Sequence, residues 1–274
     1  FDVAGRRWSD EMLRALDIPR AWLPECFESS EVAAYVSRAA AAEAGLPPGI
    51  PVVAGAGDQA AGAVGNSIIR QGQASCVLGT SGVLFWSCDT LAHDREARLH
   101  SFCHAAPGKW HLMGVTLAAG GSLRWFRDTL CEIETERARL EGVDEYELIT
   151  ALAERVEPGS EGLVFLPYLS GERTPYSDPK ARGAFIGLSL RHSKAHMARS
   201  VLEGVALSLL DCIELAREIG VDTTRVYASG GGARSALWRS ILADCFGAEV
   251  ARVGVDEGPA YGAAILASVG VGMF

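Results

Sequence analysis

The chain has 274 residues, 49% of them hydrophobic and 22% charged, enough apolar material for one large domain or one domain and part of a second. A formal net charge of −9, with no run of Lys or Arg, leaves no basic face for nucleic acid. No apolar stretch reaches the ~20 residues of a membrane helix, and the seven cysteines form no Cys-x-x-Cys pair. Reduced thiols in a soluble cytoplasmic protein are the expectation, with neither nucleic acid nor membrane as a partner.

Ser9 is placed to cap a short helix with Met12, Leu13 and Leu16 on its apolar side, before Pro19 and Pro24. Residues 31–44 are alanine-rich and predict a helix stopped by Gly45 and Pro47-Pro48. Residues 50–54 predict a short buried strand running into Gly55-Ala56-Gly57-Asp58, and 59–65 a closely packed helix. Residues 74–78 and 83–87 predict two strands joined by the hairpin signature Gly79-Thr80-Ser81-Gly82. A strand over 110–116 and a helix over 117–129, packed through Leu123, Trp125 and Phe126, come next.

The charged stretch 132–157 reads as surface helix and loop, 163–166 as a strand, 169–182 as a loop and 184–190 as strand-like. Residues 196–219 predict a long helix with Met197, Val201, Val205, Leu209 and Ile213 in one stripe, closed by Gly220. A strand at 226–228, a turn at 230–232, a helix over 236–246 capped by Ser235, a strand at 249–253 and a helix over 259–268 complete the chain. Hairpins early and alternating elements later predict an α/β protein with a mixed sheet flanked by helices. The opening Phe1-Asp2-Val3 reads as the interior of a longer protein.

Three segments carry possible chemistry. In Ala54-Gly55-Ala56-Gly57-Asp58-Gln59, a carboxylate stands where a strand enters a helix. Asp58 there is either an N-cap or a group facing a cleft. Gly55, Gly57 and Ala60 also match a dinucleotide fingerprint, but 59–87 hold no Asp or Glu to grip a ribose. Gly79 and Thr80 sit in a turn that is either an ordinary hairpin or a phosphate cradle; no Walker A sequence is present. Gly230-Gly231-Gly232, between strand and helix, strips side chains from a turn where a ring or phosphate could lie against backbone. Glu257-Gly258-Pro259-Ala260-Tyr261-Gly262 opens another helix with small residues, which packing alone explains. His100, Cys103 and His104 fit no common zinc spacing.

An acid at a helix start, a glycine–hydroxyl hairpin and a triple-glycine turn, in that order, resemble the FGGY carbohydrate kinases. Gly183-Ala184-Phe185-Ile186-Gly187-Leu188, with His196-Met197 and Ser200-Val201-Leu202-Glu203, resembles that family's second signature. Leu99 to Ala105, Trp110 to Met113 and Phe165 to Pro175 are similar to segments of its xylulose-phosphorylating branch.

The resemblance implies the actin/hexokinase-like, ribonuclease H-like ATPase fold. Residues 1–66 would close a first, sugar-binding domain, and 67–274 would form the second, ATP-binding one, with a hinge near 65–72. It implies transfer of the γ-phosphoryl group of ATP to D-xylulose, giving D-xylulose 5-phosphate; ribulose, gluconate and glycerol are alternative acceptors. Asp58 would be the general base and Gln59 a sugar contact, although many of that branch carry Asn in its place. Gly79 and Thr80 would hold the β/γ-phosphates. Gly120 and Arg124 would line the nucleotide site, and Gly231, Gly232, Ala233 and Ser235 would border the α-phosphate, ribose and adenine. Mg²⁺ would bridge the phosphates, with no residue assigned as its ligand. The family's N-terminal Asp-x-Gly-Thr motif is absent from the sequence, and a homodimer is left open as the assembly.

Overall fold

The computed structural model describes residues 1–254 and 258–274. In chain order the helices and strands are α1 (Asp10–Ala15), β1 (Val32–Tyr35), α2 (Arg38–Ala44), β2 (Pro51–Val53), α3 (Asp58–Gly65), β3 (Gln73–Leu78), β4 (Gly82–Cys88), β5 (His100–Cys103) and β6 (Trp110–Thr116). They continue as α4 (Gly120–Leu130), α5 (Glu132–Glu141), α6 (Glu145–Glu154), β7 (Val164–Leu166), β8 (Ala184–Ile186), α7 (Lys194–Glu218), β9 (Arg225–Ser229), α8 (Ala236–Phe246), β10 (Glu249–Arg252) and α9 (Gly258–Gly270). The expected mixed sheet is present. Six strands run in the order β10-β9-β3-β4-β6-β5, with β10, β9 and β3 parallel and the rest antiparallel.

Helix α7 lies at the centre of the protein. Val201, Val205, Leu209 and Ile213, the stripe read from its sequence, are fully buried among residues of the sheet, α4 and α8. A 25-residue helix buried along most of one side is stabilised by packing far more than by propensity. Trp86 reaches across to donate its indole N–H to Thr223 Oγ1 at 2.8 Å, and Trp238 donates its own to the Leu202 carbonyl at 3.1 Å.

One expectation fails in the first third. Residues 31–44 are not one helix. Residues 32–35 form β1, antiparallel to β2, and only 38–44 are helical, with Ser37 Oγ accepting from the Ala40 N–H and Gly45 ending the helix at φ +67°. Ladder pairing between residues 32–35 and residues 51–53 overrides alanine's weak preference for helix. Three smaller departures follow the same logic. Strand β5 is an edge strand not foreseen, β8 stops at Ile186, opposite Val164 where its antiparallel partner β7 begins, and α4 starts at Gly120. Between β2 and β3, helix α3 crosses α9 so closely that a Cβ on Gly65 or Gly262 would collide with the other helix's backbone. Among the described residues β2 pairs only with β1, so the βαβ unit that a dinucleotide fingerprint requires does not form at 55–60.

Candidate functional site

The β3–β4 turn, the start of α4, the glycine turn after β9 and the first turn of α6 surround a cleft of about 390 Å³. Gly79, Thr80, Gly120, Arg124, Gly231, Gly232 and Ser235, proposed from three separate stretches of sequence, all line it. Ala233 does not. It is buried, and its carbonyl accepts from Arg239 Nη1 at 2.5 Å, so it supports the turn from behind.

The backbone explains the glycines. The Thr80 carbonyl accepts the N–H groups of Ala119 and Gly121 at 2.9 and 3.0 Å, which locks the hairpin to the head of α4. A Cβ on Gly120 would lie 2.5 Å from the Gly79 carbonyl oxygen. Gly230 has φ +82° and abuts the Leu78 carbonyl, while a Cβ on Gly232 would meet Leu78 and the Trp238 ring at under 3 Å. Gly231 differs from both. Nothing lies within 4 Å of its missing Cβ, and the space left open is the cleft. A side chain there would intrude on a ligand and on nothing else.

Two helix N-termini face this cleft and differ in charge. Helix α4 has no side-chain cap; the Thr80 carbonyl takes the Ala119 and Gly121 N–H groups and the Ala119 carbonyl that of Ser122, which leaves the Gly120 N–H and the partial positive charge of the helix start to an anion. Helix α6 is capped by its own Asp144, whose Oδ1 accepts from the Tyr146 N–H at 2.8 Å, and Glu147 lies one position further on. Arg124 sits one turn into α4. The arrangement favours a polyanion at the α4 and β3–β4 end and a neutral, hydrogen-bonding group at the α6 end. Asp144, Tyr146, Glu147, Thr150, Arg234 and Trp238 also line the cleft, and sequence reasoning missed them. The available signal was Asp144 as a helix cap, which orients the first turn of α6 but not its neighbour.

Asp58 and Gln59 occupy the first turn of α3 and do not line the cleft. Asp58 is exposed; the N-cap is Gly57, so the carboxylate is not an N-cap. Its Oδ1 accepts the N–H of its neighbour Gln59 at 2.8 Å. Against the backbone of this same turn lies a second, smaller cavity of about 240 Å³, which Ala56, Gly57 and Ala60 share with Arg6, Glu28 and His104.

His104 has both ring nitrogens in use. Nδ1 accepts the Ala106 N–H at 2.8 Å, so Nε2 carries the proton and donates to the Ile68 carbonyl at 3.0 Å. Burial pushes its pKa down to about 4, and that of His111, stacked on Phe85, down to about 3. These are neutral core imidazoles, and no metal-binding cluster of His, Cys, Asp and Glu is found among the described residues. Nor is any helix among them long and apolar enough to cross a membrane. All seven cysteines are free thiols.

Two family models account for nearly the whole chain: the C-terminal domain of the FGGY family of carbohydrate kinases over residues 74–271, and its N-terminal domain over 1–65. The chain belongs to the FGGY family of carbohydrate kinases. It is 43% identical over 98% of its length to the xylulose kinase of Escherichia coli K12, covering 53% of that protein, and 37% identical over 97% to the gluconokinase of Bacillus subtilis, covering 52%. Among solved structures it matches a Brucella ovis xylulose kinase with TM-score 0.86 and 37% identity, covering 99% of this chain and 54% of that one. The fold is thus that of FGGY sugar kinases, and the chain spans about half the length of the curated relatives it matches.

The segment 183–203, which resembles a signature of that family, has a structural role in this protein. Glu203 accepts from Arg199 Nε at 2.6 Å, the Gly159 N–H at 3.0 Å and Ser160 Oγ at 2.9 Å, while Gly204 lets α7 approach the Phe165 carbonyl. None of these residues lines the cleft. The Glu257 of the last glycine segment lies outside the described residues.

Proposed function

We propose that this chain is the nucleotide-binding portion, with the end of the sugar-binding portion, of an ATP-dependent kinase whose acceptor is D-xylulose and whose product is D-xylulose 5-phosphate. The observation that carries the reading is the convergence on one cleft of the α4 N-terminus, which has no side-chain cap, a glycine–hydroxyl hairpin and the open face of Gly231. The names of the relatives support xylulose; the gluconokinase at 37% identity keeps gluconate as the alternative acceptor.

In this reading Gly79, Thr80 and the head of α4 hold the β/γ-phosphates, Arg124 adds positive charge, and Gly231, Gly232 and Ser235 border the α-phosphate and nucleoside. The carboxylates of Asp144 and Glu147 would repel phosphate, so the nucleoside lies at their end, where they accept hydrogen bonds from ribose hydroxyls or the adenine amine. Mg²⁺, when bound, neutralises charge developing on the transferred group and keeps several waters. Asp58 accepts the proton of the attacking sugar hydroxyl, a contribution of ~10²–10⁴ in rate, and Gln59 contacts the sugar. The chain divides after residue 66, and closure about 65–72 carries Asp58 toward the phosphates.

The test is ADP release by the full-length protein with Mg-ATP against D-xylulose, D- and L-ribulose, gluconate and glycerol. Release confined to D-xylulose is the expected result. Turnover of gluconate alone replaces the acceptor, and release with none of the sugars removes the kinase reading.

A further inference from the structure

Strand β6 leaves the sheet at Thr116, and the next amide, that of Leu117, has no strand to bond. Its N–H donates to Glu172 Oε1 at 2.9 Å, which also accepts the Arg173 N–H at 2.7 Å. Two residues back, Val115 is held in both directions by Thr174. The Thr174 N–H donates to the Val115 carbonyl at 3.0 Å, and the Val115 N–H donates to Thr174 Oγ1 at 3.2 Å. Two residues forward, the Ala119 N–H holds the Thr80 carbonyl. The strap 115–121 is therefore gripped on one side by residues 172–174 and grips the phosphate hairpin on the other.

We propose that Glu172 is a positioning residue for the nucleotide phosphates: through Leu117 it fixes the head of α4, and through α4 the Gly79–Thr80 turn. The inference rests on the cleft being the nucleotide site. Glu172 is only 3% exposed and has no cationic partner within ion-pair distance among the described residues, so no surface or ion-pair role explains it. Its Oε2 is buried and finds no hydrogen-bond partner among the described residues, which makes the acid a costly choice at this place. Burial also raises its pKa.

Glu203 provides the comparison. It is another largely buried glutamate accepting backbone and side-chain bonds, but it holds Gly159, Ser160 and Arg199, away from the cleft.

In the full-length protein, Glu172→Ala is expected to raise the Kd for ADP and the KM for ATP by about tenfold or more, the usual cost of a lost hydrogen bond to a charged group. The KM for D-xylulose stays within about twofold, since the strap does not touch Asp58 or Gln59. Glu172→Gln keeps an oxygen for Leu117 and recovers most of the ADP affinity. Should the alanine variant not fold, Glu172→Asp, which draws the oxygen back from Leu117, shows the same rise. Glu203→Ala lowers the melting temperature with the KM for ATP unchanged. If Glu172→Ala behaves as Glu203→Ala does, or raises both KM values alike, the positioning role is wrong. If the unsubstituted protein binds no ADP, the nucleotide reading of the cleft falls first and takes this inference with it.

Discussion

Gly120→Ala is the substitution whose cost can be worked from the coordinates. The new Cβ would stand 2.5 Å from the Gly79 carbonyl oxygen and 3.3 Å from its carbon, whereas real Cβ contacts do not fall below 3.0 Å. Both neighbours are backbone, so no side chain can swing away, and the hairpin and α4 must separate by about 0.5 Å. The bonds from Ala119 and Gly121 to the Thr80 carbonyl, now 2.9 and 3.0 Å, would lengthen toward the limit of useful geometry. Losing most of two such bonds costs ~1–3 kcal/mol, partly offset by alanine's better helix propensity. A displacement of 1 Å in a positioning element can cost ~10²-fold in rate, so half of that suggests about tenfold in kcat/KM for ATP. The assay is coupled ADP release at saturating D-xylulose, with a thermal melt on the same sample. A variant with wild-type KM for ATP and wild-type melting temperature would refute the close approach, and with it the account of Gly120.

Three further outcomes are expected. Asp58→Asn lowers turnover by ~10²–10⁴ with the Kd for ADP unchanged, because the carboxylate lies outside the cleft; retained turnover would end its assignment as the base. Glu147→Ala raises the KM for ATP about three- to tenfold but leaves inhibition by inorganic tripolyphosphate untouched; equal weakening of both would reverse the orientation of the nucleotide. Acid sensitivity follows from the buried imidazoles. The folded pKa of His111 is about 3 and that of His104 about 4, below the ordinary 6.5. The unfolded chain therefore binds more protons below 6.5, and stability contributed by the neutral rings is lost as pH falls from about 6.5 toward 4 and 3. His111→Phe, which preserves the stack on Phe85, should flatten the decline in melting temperature over that range; an unchanged slope would show that these rings do not set it.

The sequence by itself determined whatever rests on local chemistry. The hairpin around Gly79 and Thr80, the glycine turn after β9, the Ser9 and Ser235 caps and the stripe of α7 follow from turn residues, hydroxyls and a 3.6-residue period, and the structure contains all of them. Family resemblance rested on some of the same segments. Tertiary structure decided the rest, because the deciding partner lies far along the chain. Residues 32–35 became a strand since 51–53 offered a ladder, which no propensity within 31–44 could announce. Asp144, Glu147 and Arg234 look in sequence like solvated charges, and only the docking of α6 beside the glycine turns makes them walls of a site. Glu172 illustrates the limit most clearly: its loop reads as turn residues, and its meaning lies in one amide 55 positions away that β6 leaves without a partner.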